Sequence, residues 1–208
     1  MRPPPGAVPV NLDPPRVFHL PNWGRMSEDE RIKLLRDVST RAGRDPRIRE
    51  VAFTILAAAG TAQRDYRAQA AALLAWVQAN IRYLNEPGEV LQDPLYTLKV
   101  RAGDCDDSAL LLAAFAESVR LPWRFVLAGK GSGGEKVRWI EGRGPGPRDV
   151  RWGHIYLAIG NHPFRPTGWI FAEPTVRDAP LGWDVFHSRT AAGLPGLSGL
   201  GDSAKFSI

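Results

Sequence analysis

Apolar residues recur at helical spacing through the first half of the chain and at alternate positions through much of the second. Ser27 opens a capping box with Glu30, just ahead of Ile32, Leu34, Leu35 and Val38, which predicts a first helix. Asp45-Pro46 caps a second, carrying Ile48, Val51, Ile55 and Leu56 and stopping at Gly60. A third covers about 65–82, with Ala70, Leu73, Leu74, Val77 and Ile81 on one face and an alanine-rich interior suited to close packing. Residues 84–103 read as a linker with Pro87-Gly88 and Asp93-Pro94 turn signals. A fourth helix, opened by Asp104, is apolar through Leu110, Leu111, Leu112, Ala114 and Phe115, which marks it as central and buried.

After Leu121-Pro122 the period changes to two. Strands are predicted over Trp123–Ala128, Val137–Ile140, Val150–Ile159 and Gly168–Ala172. The stretch Gly129 to Gly134 lacks the Gly-Lys-Ser/Thr ending of a phosphate loop and reads as a mobile connection. Helices followed by an antiparallel sheet make an α+β domain over residues 23–187, with a helical part at 27–83, the linker at 84–103 and a core at 104–187. Residues 1–22 hold seven prolines and read as an extended arm; residues 188–208 read as a flexible Gly/Ser-rich tail.

Composition narrows the class. A chain of 208 residues, 44% hydrophobic and with seven tryptophans, has enough material for one packed domain. One cysteine excludes an intramolecular disulfide framework. No apolar run approaches the ~20 residues of a membrane-spanning helix. The start, Met1-Arg2-Pro3-Pro4-Pro5, lacks the apolar core of a secretory signal, so a cytoplasmic rather than an exported protein is expected. The net charge of +5 comes mostly from arginines without a basic block or an aromatic-interleaved stripe, which argues against a nucleic-acid partner. No cofactor motif and no calcium loop is present.

The chemistry centres on Cys105, in Gly103-Asp104-Cys105-Asp106-Asp107-Ser108 at the start of the central helix. A thiol attacks a carbonyl as thiolate, and a free pKa near ~8.5 leaves little of it at neutral pH. The helix start favours the anion by on the order of 0.3–1 kcal/mol. Asp104, Asp106 and Asp107 oppose it if they face the sulfur, and their easier role is to cap the helix. A histidine is therefore needed.

His154 is the best placed, on a strand where it shares a face with Tyr156 and Ala158. In the next strand Trp169, Phe171 and Glu173 share a face. A hairpin register that sets Gly160 opposite Thr167 also sets His154 opposite Glu173, with Cβ atoms ~4.5–5.5 Å apart. The bland alternatives are an inert core cysteine and a glutamate that caps its strand before Pro174. A metal site built on Asp104, Cys105, Asp106 and a histidine fits no familiar zinc spacing. His19, His162 and His187 lie in loops or the arm, without a partner pattern.

Four blocks of sequence carry a resemblance: Arg101 to Leu112, Leu121 to Val126, Gly153 to Leu157, and Gly168 to Thr175. In this order they resemble the transglutaminase-like superfamily of papain-type cysteine enzymes. The resemblance implies a papain/transglutaminase-like core with Cys105 as nucleophile, His154 as base and Glu173 as orienting acid, where the family usually has Asp. It implies acyl transfer on a glutamine side chain or a peptide amide through a thioester, with a protein or peptide substrate. The oxyanion would be held by the Cys105 N–H and a side-chain donor, for which Gln92 is the nominee. Asp104 adjoins the site, and Trp152 and Trp169 are candidates for lining the acyl channel, with core packing the alternative for either. The upstream helices and Leu91-Gln92-Asp93-Pro94 are similar to a subgroup encoded by tailed phages and prophages. That implies a host-cytoplasmic or virion-associated protein, with phage structural proteins as partners of the termini. A rival of a different class keeps the fold without turnover and serves in particle assembly; Glu173 in place of Asp and the crowded acids favour it.

Overall fold

Helix α1 (Glu28–Gly43) starts at the capping box read from the sequence: Ser27 accepts from the Glu30 N–H, and the Glu30 carboxylate accepts from the Ser27 N–H at 2.7 Å. Such caps contribute about 1 kcal/mol each. The structure, a computed structural model, describes residues 17–19, 25–84 and 90–186. Helix α2 (Pro46–Ala58) is capped by Asp45 with Pro46 in its first turn, and α3 (Tyr66–Asn80) by Asp65. The predicted elements of this half are all present.

The predicted linker is not one. It contains strand β2 (Arg82–Tyr83), strand β3 (Val90–Gln92), helix α4 (Pro94–Val100) and strand β4 (Ala102–Gly103). Asp93-Pro94, read as a turn, is a helix start: the Asp93 carboxylate accepts from the Leu95 N–H at 2.9 Å. The same dipeptide chemistry opens turns and helices alike, and α4 is too short to declare a period. Arg101 ends it in a left-handed conformation, turning the chain into β4. Strand β1 (Val17–His19) pairs antiparallel with β3, so part of the predicted arm is strand. The rest of that arm, His187 and the predicted tail lie outside the described residues.

Central helix α5 (Cys105–Ser118) follows, and then a four-stranded antiparallel sheet of β5 (Trp123–Gly131), β6 (Lys136–Ile140), β7 (Val150–Asn161) and β8 (Gly168–Ala172), in the order β6-β5-β7-β8. Gly129 to Gly131, expected in a mobile connection, continue β5 into a tight hairpin closed by Gly134 N–H to Gly131 C=O. A β-bulge falls beside Gly129, where an added Cβ would lie 2.4 Å from the Arg151 carbonyl. The β7–β8 register sets Gly160 opposite Trp169, two residues from the expected partner Thr167. The strands extend to Asn161 and Gly168, a detail that hairpin length leaves open. A shift of two keeps every side chain on its predicted face.

One face of the sheet packs on the helices. Ala109 through Ala116 of α5 are each at 1% exposure or less, and they meet residues of α1, α2, α3, α4 and the sheet in one apolar cluster. The other face carries Val126, Ala128, Tyr156 and Ala158, covered by Val176, Ala179 and Val185 from the segment after β8. The fold is thus mixed helix and antiparallel sheet, with the cysteine helix at its centre. Among the described residues no helix is long and apolar enough to cross a membrane.

Candidate functional site

The first turn of α5 is built from its acids. Asp104, the N-cap, accepts from the N–H groups of Asp106 and Asp107 at 3.2 and 3.4 Å. Asp107, fully buried, returns a bond to the Asp104 N–H at 3.3 Å and takes the Gln92 N–H at 2.8 Å. This reciprocal cap ties helix, N-cap and β3 together. Gly103 makes room for it: a Cβ there would lie 2.6 Å from the Asp107 Cβ. Asp106 accepts from the Asp107 N–H at 2.9 Å, and the oxygens of all three carboxylates come within 4.8 Å of one another. Removal from water, then the neighbouring Asp104 carboxylate, push the Asp106 carboxyl well above the usual range.

Cys105 is partly exposed at the head of this turn. Desolvation pushes its thiol well above the ordinary value, and Asp104 and Asp106 add to the shift; a hydrogen bond from the Ile155 backbone acts in the opposite direction. The helix start does not ionise this sulfur by itself, as the sequence implied. Ile155 can serve because β8 stops at Ala172, opposite Leu157. From Val150 to Tyr156 strand β7 therefore has no strand neighbour on that side among the described residues, and the start of α5 reaches it there.

The sulfur is thus held by the residue that follows His154. His154 is 2% exposed and Glu173 1%, and His154 Nε2 lies 2.6 Å from Glu173 Oε2. The other Glu173 oxygen accepts from the Thr175 N–H at 2.9 Å and the Thr175 hydroxyl at 2.6 Å. A carboxylate that accepts at both oxygens fixes the tautomer: Nε2 carries the proton and donates, leaving the Nδ1 lone pair open. Nδ1 is buried and has no hydrogen-bond partner. The ring stacks on Tyr156, centroids 5.7 Å apart at 18°.

Glu173 is not opposite His154, as the expected register had it, but diagonal to it across the β7–β8 pair. Diagonal neighbours are ~7–8 Å apart rather than ~5. The extra methylene of Glu over Asp gives the reach this register requires.

Gln78 of α3 is buried and donates to two carbonyls, Glu173 at 2.8 Å and Ala179 at 2.9 Å. It pins the stretch that carries Glu173 to the helical layer. The sequence did hold a signal, a glutamine inside the apolar stripe Leu73, Leu74, Val77. Tyr83 also went unread. It pairs with Gly103 in a short parallel ladder, half buried, and its phenol is raised by desolvation and then by Cys105, Asp104, Asp106 and Glu173. A strand of two residues has no period by which to announce itself.

The other nominees fall in various places. Gln92 places its backbone N–H on Asp107 and its side-chain carbonyl 3.4 Å from the Thr97 hydroxyl. Trp152 is 4% exposed within the main core, its indole N–H without a partner. Trp169 lies on the outer face under Arg124, 4.3 Å from the ring centroid. His162 is exposed in the β7–β8 loop, beside Tyr66 and Phe164.

Comparison with known proteins adds a family. The profile described as "Transglutaminase-like superfamily" matches residues 54–174, from α2 to just past Glu173. No curated protein matches the chain. Among solved structures, a presumed cysteine protease from Cytophaga hutchinsonii is similar over 78% of this chain and 47% of its own, at 16% identity and a TM-score of 0.44. The chain spans about half the length of that protein.

Proposed function

This chain belongs to the transglutaminase-like superfamily, and on that premise we propose that it transfers acyl groups from amides through Cys105, with His154 as base and Glu173 as its orienting acid. The observation that carries the reading is the unpartnered Nδ1 of His154, one residue from the backbone group that holds the sulfur. Glu173 takes the Nε2 proton, so the free lone pair belongs to the nitrogen not held by the acid.

The raised thiol sets the order of events. At rest the sulfur keeps its proton. As it adds to an amide carbon, the S–H proton passes to Nδ1 and the carbonyl becomes an oxyanion. Collapse breaks the C–N bond, and the same proton leaves with the amine. Water or a second amine then attacks the thioester, His154 takes the attacker's proton, and the C–S bond breaks to restore the thiol. Water makes the protein an amidase or protease, an amine a cross-linker. The substrate is a protein or peptide, through a glutamine side chain or a peptide bond.

The raised thiol also favours a second reading, a module that keeps this fold without turnover and serves in assembly, as in the tailed-phage setting. One experiment separates them. Acetylation of Cys105 by p-nitrophenyl acetate, followed by mass spectrometry at neutral pH, is expected in the unaltered chain and slowed at least 10²-fold by His154→Ala. In that variant iodoacetamide alkylation should also move to higher pH, because only repulsive neighbours remain. Equal rates in the two chains would favour the silent module.

A further inference from the structure

The acids at the start of α5 that resist a thiolate resist an oxyanion equally. Asp104 and Asp106 both raise the cost of negative charge on the sulfur, and carboxylates offer no proton to a neighbouring anion. A tetrahedral intermediate beside them needs donors of its own. Asp104 uses its carboxylate on the Asp106 and Asp107 N–H groups, which leaves the Cys105 N–H as the backbone donor at the head of the helix. One N–H against two acids is a thin provision.

Strand β2 brings a second donor. Arg82 N–H bonds the Arg101 carbonyl and Leu84 N–H bonds the Gly103 carbonyl, both at 2.9 Å. The main chain is thus clamped on each side of Tyr83 to the segment that feeds the N-cap. Tyr83 stands opposite Gly103 in this ladder and is half buried, so its position is fixed while solvent, and hence substrate, retains access. The groups whose charge acts on its phenol are Cys105 first, then Asp104, Asp106 and Glu173, the sulfur, its acids and the orienting carboxylate. The shift is upward, so the hydroxyl stays a donor throughout the working range of pH.

We propose that the Tyr83 hydroxyl, together with the Cys105 N–H, binds the carbonyl oxygen of the acyl substrate and stabilises the oxyanion formed when sulfur adds to it. The proposal rests on the acyl-transfer reading above. In the step, the C=O π pair moves onto oxygen as the S–C bond forms. Tyr83 donates a hydrogen bond and keeps its proton, and the S–H proton goes to His154 Nδ1. Gln92, the donor nominated from sequence, has its side-chain carbonyl on Thr97 and its N–H on Asp107, which ties it to the scaffold behind the helix start.

Two reagents separate this role from mere packing. p-Nitrophenyl acetate acylates the sulfur through an oxyanion; iodoacetamide alkylates it by displacement and forms none. In Tyr83→Phe of the full chain, acetylation of Cys105 should fall on the order of 10²-fold, the size seen when one oxyanion donor is lost. Alkylation should stay within about twofold and the melting temperature should not move. Equal losses with both reagents, or unchanged acetylation, would overturn the proposal. If the unaltered chain is never acetylated at Cys105, the acyl-transfer reading itself fails and takes this one with it. If it is acetylated and Tyr83→Phe matches it, only the role of Tyr83 is lost.

Discussion

The body of α5 and its first turn are one continuous helix with opposite environments. From Ala109 to Ala116 every side chain is apolar and sealed; from Asp104 to Asp107 three of four are acids around a partly exposed thiol. The body gains from burial, about 25 cal/mol per Å² of apolar surface. The turn collects charge in a place that disfavours it. The difference teaches that the reactive end is tolerated because the other end is so firmly held.

Cutting into the body should cost most. Leu111→Ala, at 0% exposure, is expected to lose about 2–5 kcal/mol, read as the shift in a chemical-denaturation midpoint. Breaking the turn costs less. Asp107→Ala removes the acceptor of the Asp104 and Gln92 N–H groups and should lose about 1–3 kcal/mol by the same measurement. Gly103→Ala changes no polar group yet drives a methyl into Asp107, with an expected loss of about 1–3 kcal/mol. A silent Gly103→Ala would mean the reciprocal cap does not hold the turn.

Asp106→Asn should give the smallest effect, and in the other direction. The Asp106 carboxyl is raised in the folded chain, which therefore binds that proton more readily than the unfolded one. Its contribution to stability is present at acid pH, below the ordinary carboxylate range, and is lost as pH rises through the raised folded value. Asn keeps an acceptor for the Asp107 N–H and does not ionise. The variant should melt slightly higher than the parent at neutral pH and converge on it in acid. Its thiol should ionise at lower pH, read from iodoacetamide rates, because one repulsive charge is gone. A variant that melts lower would show that the charge aids the helix dipole more than it suffers from its neighbours.

The same contrast explains what could be read from sequence. The body of α5, the three upstream helices and the four sheet strands all repeat with a period, and each was legible. So was the chemistry of the turn, since a lone cysteine after Gly-Asp is local information. Relations between distant segments were less so. His154 and Glu173 were matched by face, which alternation fixes, but their register was set two residues wrong because loop length does not determine it. The diagonal placement that gives Glu its use in place of Asp was therefore invisible. Helix α4 hid behind an Asp-Pro pair with two meanings. Gln78 and Tyr83 act through a buried pin and a two-residue ladder, which exist only once the layers have docked.

The bonds of Gln78 to the Glu173 and Ala179 carbonyls also carry a message about time. Translation delivers the cysteine first, the imidazole later and the acid last, and the pin is set only when the ensuing stretch has closed over the back of the sheet. A nascent polypeptide stalled anywhere short of that stretch holds a sulfur with hostile neighbours and no relay. Synthesis order thus acts as a safety catch, keeping the protein inert until its own folding is nearly done.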